Sequence, residues 1–139
     1  MRTMKIMLDP WAKIPVRVHD TDAGLDLCAA FEQTVPPRGS AVFRTGVHVE
    51  LPPGTCGLLV SKSGLNVNAD ITSTGLIDET YSGEIKVKLY NHGNKAIIIA
   101  EGQRISQLVV LPVRYEAVEL VDALEVRGRG NNGFGSTGK

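Results

Sequence analysis

The chain has 139 residues, and its fifteen acidic residues are balanced by fifteen Lys and Arg. This length suits one domain with a substantial core and is too short for two. Zero net charge excludes the broad basic surface that a long nucleic acid or an anionic membrane requires, and no apolar run is long enough to span a membrane. We therefore expect a soluble cytoplasmic protein, or a nuclear one in a eukaryotic or viral host.

Short apolar runs separated by turn residues extend along most of the chain and predict β-strands. In chain order these strands are Ile14–Val18, Leu25–Phe31, Ala41–Glu50, Cys56–Val60, Glu84–Tyr90, Ala96–Ala100, Ile105–Val113 and Ala117–Val121. Pro, Gly and Asn between the runs predict turns at Val35–Gly39, Leu51–Gly54, Asn91–Asn94 and Glu101–Gly102. Strict alternation after Glu84 places Ile85, Val87 and Leu89 on one buried face.

Only Ser63–Ala69 predicts a helix, with Ser63 as its N-cap. The expected architecture is all-β: a jelly-roll-like barrel or sandwich of short antiparallel strands with at most one short helix. Open sheet edges favour a closed trimer or dimer. Cys28 and Cys56 lie in apolar runs without metal-ligand spacing to a histidine, which predicts reduced core thiols and no zinc site.

The last segment, residues 127–139, contains five glycines and follows a predicted domain of residues 1–126. It offers the cations Arg129 and Lys139, the hydroxyls of Ser136 and Thr137, and the aromatic ring of Phe134. This composition fits a polyphosphate that carries a flat base, so we expect a mobile arm that closes over a nucleotide. A disordered tail is the alternative.

Two further segments carry groups suited to chemistry. In Gly75–Gly83, two glycines bracket Asp78 and Tyr81, which predicts either a hairpin that presents a general base or a plain turn with a solvated carboxylate. In Ser61–Leu65, the side chains of Lys62 and Ser63 precede Gly64 at the start of the predicted helix, where a phosphate is favoured. The second signal is weak alone, because such loops are common.

Five segments together resemble the five ordered motifs of the trimeric deoxyuridine triphosphatases, the dUTPases. They are Ala23–Leu27, Ser61–Leu65, Gly75–Gly83, Gly102–Leu108 and Arg129–Gly138. The resemblance implies a jelly-roll-like barrel and a homotrimer with active sites between subunits. It also implies dUTP diphosphatase activity, in which dUTP is hydrolysed to dUMP and pyrophosphate with Mg²⁺. This reaction keeps uracil out of DNA and supplies dUMP for thymidylate synthesis.

The resemblance also implies roles for individual residues. Asp78 is the base that activates water, and Tyr81 lies under the deoxyribose. Backbone groups within residues 69–83, including Gly75 and Ile77, read uracil. The remaining roles are phosphate contacts by Lys62, Ser63, Gly64 and Gln107, closure of the arm by Arg129, Phe134, Gly135, Ser136 and Thr137, and a water-mediated contact of Asp26 with Mg²⁺.

Some assignments stay open. Asp26 is alternatively an ion-pair partner of a cation such as Arg104. Ideal strand alternation turns Arg104 and Gln107 to opposite faces, which leaves Arg104 structural. The chain also departs from the family pattern at Lys62, where Arg is usual, at Asn131-Asn132, where Gly-Gly is usual, and at Thr80, where an acidic residue is common.

Two other functions are the alternatives. A noncatalytic jelly-roll protein that binds dUTP as a regulator would have the same fold. A dCTP deaminase would place a glutamate on the strand after the hairpin, where this chain has Lys88. Lysine cannot serve as that proton shuttle at neutral pH without a large pKa shift.

Overall fold

The computed structural model describes residues 2–138, so Met1 and the predicted arm cation Lys139 lie outside the described residues. Within that range the protein has ten β-strands and one short α-helix. The elements are β1 (Lys5–Leu8), β2 (Leu25–Cys28), β3 (Gln33–Val35), β4 (Ser40–Arg44), β5 (Val47–Glu50), β6 (Thr55–Ser61), α1 (Ser63–Ala69), β7 (Ile71–Ile77), β8 (Lys86–Asn91), β9 (Ile97–Ile99) and β10 (Arg104–Pro112).

The strands form one six-stranded antiparallel sheet in the order β2-β10-β6-β7-β8-β4, together with the two-stranded ribbons β1-β5 and β3-β9. Strand β7 changes partner along its length. Residues Ile71–Ser73 pair with β8, whereas Thr74–Ile77 pair with β6. Strand β8 pairs with β4 over residues 86–90, and its residues 86–88 have no partner on β7. Strands β7 and β8 therefore separate toward the loop that joins them.

The core is one cluster of buried side chains from the six-stranded sheet and from both ribbons. Phe43 and Leu27 are among its largest fully buried side chains. The predicted alternation after Glu84 is confirmed, because Ile85, Val87 and Leu89 are completely buried while the lysines of β8 remain exposed. A strand with one face on a core shows its period directly in the local sequence.

The predicted single strand Ala41–Glu50 is two strands, β4 and β5. Gly46 separates them with φ of 67°, a conformation that favours glycine. A Cβ at Gly46 would lie 2.6 Å from the Ala12 Cβ and 2.7 Å from the Trp11 ring. The Thr45 hydroxyl donates to the carbonyl of Ile85 and accepts from the amide of Val47. The break is therefore part of the packing between these segments.

Two predicted strands are wrong. Ile14–Val18 contributes only an isolated bridge between Val16 and Asp26. Ala117–Val121 forms no strand, and the side chains of Val118 and Leu120 are each 98% exposed. An alternating apolar pattern forms a strand only where a neighbouring strand accepts its hydrogen bonds, and no strand of the described chain lies beside this segment.

The helix is found where it was predicted, but its N-cap is not Ser63. Lys62 is the N-cap, with an extended backbone and no capping bond from its side chain, and Ser63 is the first helical residue. The helix ends at Asp70, which has φ of 56°. Leu65 and Ala69 pack against the core, while Ser63 and Gly64 are exposed. Helix α1 has seven residues, and no helix within residues 2–138 is long and apolar enough to cross a membrane.

The last strand ends at Pro112, and residues 113–138 contain no helix or strand. In the segment 127–138, local turns are closed by bonds from the amide of Gly130 to the carbonyl of Arg127 and from that of Ser136 to that of Gly133. Phe134 is fully exposed. A domain boundary at residue 126 stays a prediction.

Candidate functional site

The loop of residues 78–84, called here the Asp78 loop, follows the end of β7. Asp78 is exposed, and its carbonyl accepts from the amide of Tyr81 at 3.0 Å, which closes a turn. The Tyr81 hydroxyl donates to the Glu84 carbonyl at 2.8 Å. The Tyr81 ring also covers Gly83, where a Cβ would lie 2.6 Å from the hydroxyl oxygen. Tyr81 thus packs on its own loop, although 44% of it stays exposed.

A cavity of about 270 Å³ opens where β7 and β8 separate. Its walls are Leu76 and Ile77 from β7, Lys86 from β8, and Asp78, Tyr81 and Glu84 from the loop. The structure therefore brings the predicted base Asp78 together with Tyr81 and Ile77. Because β8 pairs with β7 only at residues 71–73, the edge of Thr74–Ile77 that faces away from β6 has no β8 partner. Backbone groups on that edge can recognise a flat heterocycle.

The neighbouring carboxylate, Glu79, has a structural role. It accepts hydrogen bonds from the amide of Gly54 and, at 3.1 Å, from the hydroxyl of Tyr115. Both contacts tie the loop to the turn before β6 and to the segment after β10. The two adjacent acids therefore have different positions: Glu79 anchors the loop, and Asp78 lines the cavity.

A second group, called here the Asp26 cluster, consists of Asp26, Lys62, Arg104 and Gln107. The Asp26 side chain is 5% exposed, and its Oδ1 lies 2.8 Å from the Lys62 Nζ. Its Oδ2 lies 3.6 Å from an Arg104 nitrogen and has no hydrogen-bond partner in the described chain. The Gln107 amide donates to the Ser61 carbonyl at 3.0 Å.

The predicted placement of Arg104 and Gln107 on opposite faces of an ideal strand is wrong, because β10 is irregular. The pairing of β10 with β2 shifts register between Arg104 and Ser106, and both Ile105 and Ser106 are buried. An irregularity of this kind adds one residue and interrupts strict alternation. Arg104 therefore reaches Asp26, and Gln107 lies opposite Asp26 on the neighbouring strand.

The Asp78 loop and the Asp26 cluster lie at opposite ends of β6. Ile77, just before Asp78, pairs with Gly57, whereas Gln107 pairs with Val60 and Lys62 follows Ser61. The five residue-to-residue steps from Cys56 to Ser61 span about 17 Å of extended chain. A single chain therefore does not bring the predicted base within contact of the predicted phosphate ligands. The predicted arm residues lie in neither group, since the arm is exposed.

Several residues that shape the Asp78 loop were missed by the sequence argument. Arg44 pairs with Glu84 at 3.1 Å, and Glu84 also accepts from the amide of Gly46 at 3.0 Å. His48 contacts the carbonyl of Ser82 at 2.9 Å. These partners lie 34 to 40 residues apart in sequence. No local pattern indicates pairs at that separation.

The positions of the two cysteines and of Lys88 concern two points of the sequence analysis: a zinc site and the dCTP deaminase alternative. Cys28 and Cys56 are free thiols, as predicted, but both are half-buried and not part of the core. Burial raises the pKa of Cys28 above its usual range, against the opposing effect of Arg104. Among residues 2–138 no three His, Cys, Asp or Glu side chains group as a metal site. Lys88 lies on the exposed face of β8 over the Tyr90 ring.

The dUTPase family model matches residues 11–138. A deoxyuridine 5'-triphosphate nucleotidohydrolase of Gloeothece citriformis is 41% identical, and the match covers 99% of this chain and 97% of the relative. The chain belongs to the dUTPase family. The human mitochondrial nucleotidohydrolase is 39% identical over 95% of this chain and 53% of that protein.

Solved structures agree with this assignment. The dUTPase of Staphylococcus bacteriophage 80alpha, solved with dUpNHpp, has a TM-score of 0.93 and 30% identity, with full coverage of both chains. A variant dUTPase from phage phi11 of S. aureus, with a structural Mg(II) ion, has a TM-score of 0.82 and 27% identity over 90% of this chain and all of that one. The predicted all-β fold with one short helix is confirmed.

Proposed function

We propose that this chain hydrolyses dUTP to dUMP and pyrophosphate, and so keeps uracil out of DNA while supplying dUMP for thymidylate synthesis. In a chain of the dUTPase family, the observation that carries the proposal is the cavity between β7 and β8, which Asp78 and Tyr81 line together. Such an enzyme acts where dUTP is made, so the proposed location is the cytoplasm, or the nucleus in a eukaryotic or viral setting.

Uracil enters the cavity and lies against the free edge of β7. Backbone groups around Gly75 and Ile77 pair with the base, and cytosine, which has the opposite donor pattern, leaves buried polar groups unpaired. The deoxyribose lies on the exposed face of Tyr81. Because the Tyr81 hydroxyl and Gly83 fix the ring against the loop, the ring does not move aside for a 2'-hydroxyl.

Asp78 accepts a proton from the attacking water. The water oxygen forms a bond to the α-phosphorus, the bond from that phosphorus to the bridging oxygen breaks, and pyrophosphate leaves with the bond's electron pair. Exposure of Asp78 at the cavity wall supports this role, because a base must reach a water on the open side of the nucleotide. Glu79 cannot take over while it holds Gly54 and Tyr115.

The phosphate ligands Lys62, Ser63, Gly64 and Gln107 come from a different copy of the chain. The separation of about 17 Å along β6 prevents one chain from supplying both halves of the site. We therefore propose a homotrimer whose active sites lie between subunits. The arm then closes the site, with Arg129, Ser136 and Thr137 on the phosphates and with Phe134 and Gly135 over the base.

The residues present fit Mg²⁺. The Oδ2 of Asp26 accepts no hydrogen bond in the described chain and is a buried carboxylate oxygen, the ligand type that this ion prefers, and Asp26 would hold the ion through water. When bound, Mg²⁺ would neutralise charge on the triphosphate. Lys62 pairs with the same carboxylate, and its ammonium group has three donors, so it can keep this contact while it binds a phosphate. Lys62 would then join the phosphates to the carboxylate that holds the ion.

The test is pyrophosphate release from dUTP, dTTP, dCTP and UTP, each with and without Mg²⁺. We expect release from dUTP alone, and only with the metal. Tight binding of dUTP without release would show a noncatalytic binding protein, and equal turnover of UTP would remove Tyr81 from sugar selection.

A further inference from the structure

His48 on β5 contacts the Asp78 loop at a point that the proposed chemistry does not use. Its Nδ1 lies 2.9 Å from the carbonyl oxygen of Ser82, the residue after Tyr81. Its Nε2 lies 3.2 Å from the Oδ1 of Asp9, in the segment after β1. The imidazole is therefore a bridge between the amino-terminal segment and the loop.

Both partners of the ring are hydrogen-bond acceptors. A carbonyl oxygen and an ionised carboxylate have no proton to donate, and a neutral imidazole has only one. Only the imidazolium, which carries a proton on each nitrogen, can donate to Ser82 and Asp9 together. A neutral ring must place a lone pair against one of the two oxygens, so one contact is lost on deprotonation.

We infer that His48 is a positioning residue, whose bridge between Asp9 and the Ser82 carbonyl of the Asp78 loop is complete only while its imidazole is doubly protonated. The inference rests on the proposed function, because it concerns the loop that presents Asp78 and Tyr81 to the nucleotide. The other anchors of this loop within residues 2–138 contain no histidine: they are backbone amides and the pairs formed by Glu84, Glu79 and Tyr81.

The charges around the ring favour its protonated form. The bond to the Ser82 carbonyl is the largest influence and raises the pKa of His48. Burial lowers this pKa, but the bond to Asp9 and the charges of Asp9 and Glu84 raise it further. The net effect is a pKa above the ordinary value of 6.5. Asp9 is fixed by a bond from its own amide to the Gly46 carbonyl at 2.9 Å. Lys5 and Glu50 line the same shallow cavity as His48 and pair with each other.

The direction of the pH effect follows from this shift. Since the folded-state pKa of His48 lies above that of an unfolded chain, the stabilisation from the double contact is fully present below about pH 6.5 and is lost as the pH rises through the raised pKa. Loss of a charge-assisted bond lowers the ratio of ordered to disordered loop by roughly tenfold. We expect the KM for dUTP to rise across the same pH interval by up to about that factor, because the apparent affinity scales with the ordered fraction.

The experiment compares wild type with His48→Gln, which keeps a polar side chain but does not titrate. The matched control is His92→Gln, because His92 contacts the Thr72 hydroxyl at the other end of β7. Three quantities are measured from pH 5.5 to 9: the NMR titration of the His48 ring, the hydrogen-exchange protection of residues 79–83 corrected for intrinsic rates, and the KM and kcat for dUTP.

We expect wild type and His92→Gln to lose loop protection and gain KM as His48 titrates, while His48→Gln shows low protection and a high KM at every pH. The inference is overturned if His48→Gln keeps the wild-type pH dependence of protection and KM. The NMR titration of the His48 ring and the hydrogen-exchange protection of the loop are both measured without turnover, so they test the inference separately from the proposed function. If wild type shows the change in protection but does not hydrolyse dUTP, the proposed function fails while the loop anchor is supported.

Discussion

An active site shared between subunits predicts that two inactive variants restore activity when they are mixed. The Asp78→Asn variant removes the proposed base and keeps the Asp26 cluster. The double variant Lys62→Ala, Gln107→Ala removes two proposed phosphate ligands and keeps the Asp78 loop. Each variant alone should be inactive, because every site in its oligomer lacks one half.

The expected recovery follows from the geometry. If a site takes its loop from one subunit and its cluster from a neighbour, a random equal mixture makes each half intact with a probability of one half. About one quarter of the sites are then complete, so turnover should return to about 25% of the wild-type value. If both halves came from one chain, no site in the mixture would be complete.

The assay is pyrophosphate release after the two variants are unfolded together and refolded, with native mass spectrometry to count the mixed oligomers. The matched control mixes each variant with itself after the same treatment. Mixed oligomers without recovered turnover would refute the argument from the length of β6, and the site would then have to form within a single chain.

Other predictions concern stability and the arm. Gly46→Ala should destabilise the folded chain by at least about 2 kcal/mol, because it combines positive φ with contacts near 2.6 Å. Gly54→Ala, with φ of 77° but open space around it, should cost about 1 kcal/mol. Equal urea midpoints of the two variants would disprove the contribution of the contacts. Phe43→Ala should cost about 3–5 kcal/mol by leaving a core cavity, and a thermal midpoint near wild type would contradict its placement. Deleting residues 127–139 should leave the thermal midpoint unchanged and greatly lower turnover, whereas a large fall in that midpoint would make the segment structural.

The sequence predicts those parts of the fold that have a local cause. Alternation after Glu84 identifies the buried face of β8, and positive φ at Gly54 and Gly102 agrees with the predicted turns. The pattern at Ala117–Val121 is equally regular, but it has no partner strand within the described chain. Local regularity therefore predicts a strand only where the topology supplies a neighbour.

The candidate site also has parts that the local sequence predicts and parts that depend on contacts distant in sequence. The segment with Asp78 and Tyr81 is recognisable from sequence because its residues are adjacent, and the structure places them at one cavity. The contact of Arg104 with Asp26 depends on an irregularity in β10 that no local pattern indicates. The bonds of His48 and Arg44 to the Asp78 loop join residues more than 30 positions apart, so only the folded chain shows them.

The role of Asp78 is tested most directly by single-turnover hydrolysis of dUTP in the Asp78→Asn variant, with binding of a non-hydrolysable analogue measured in parallel. The account predicts analogue affinity within a few-fold of wild type and hydrolysis slower by roughly 10²–10⁴-fold, because asparagine keeps the shape of the side chain but does not accept the proton. Hydrolysis at the wild-type rate in that variant would contradict the account.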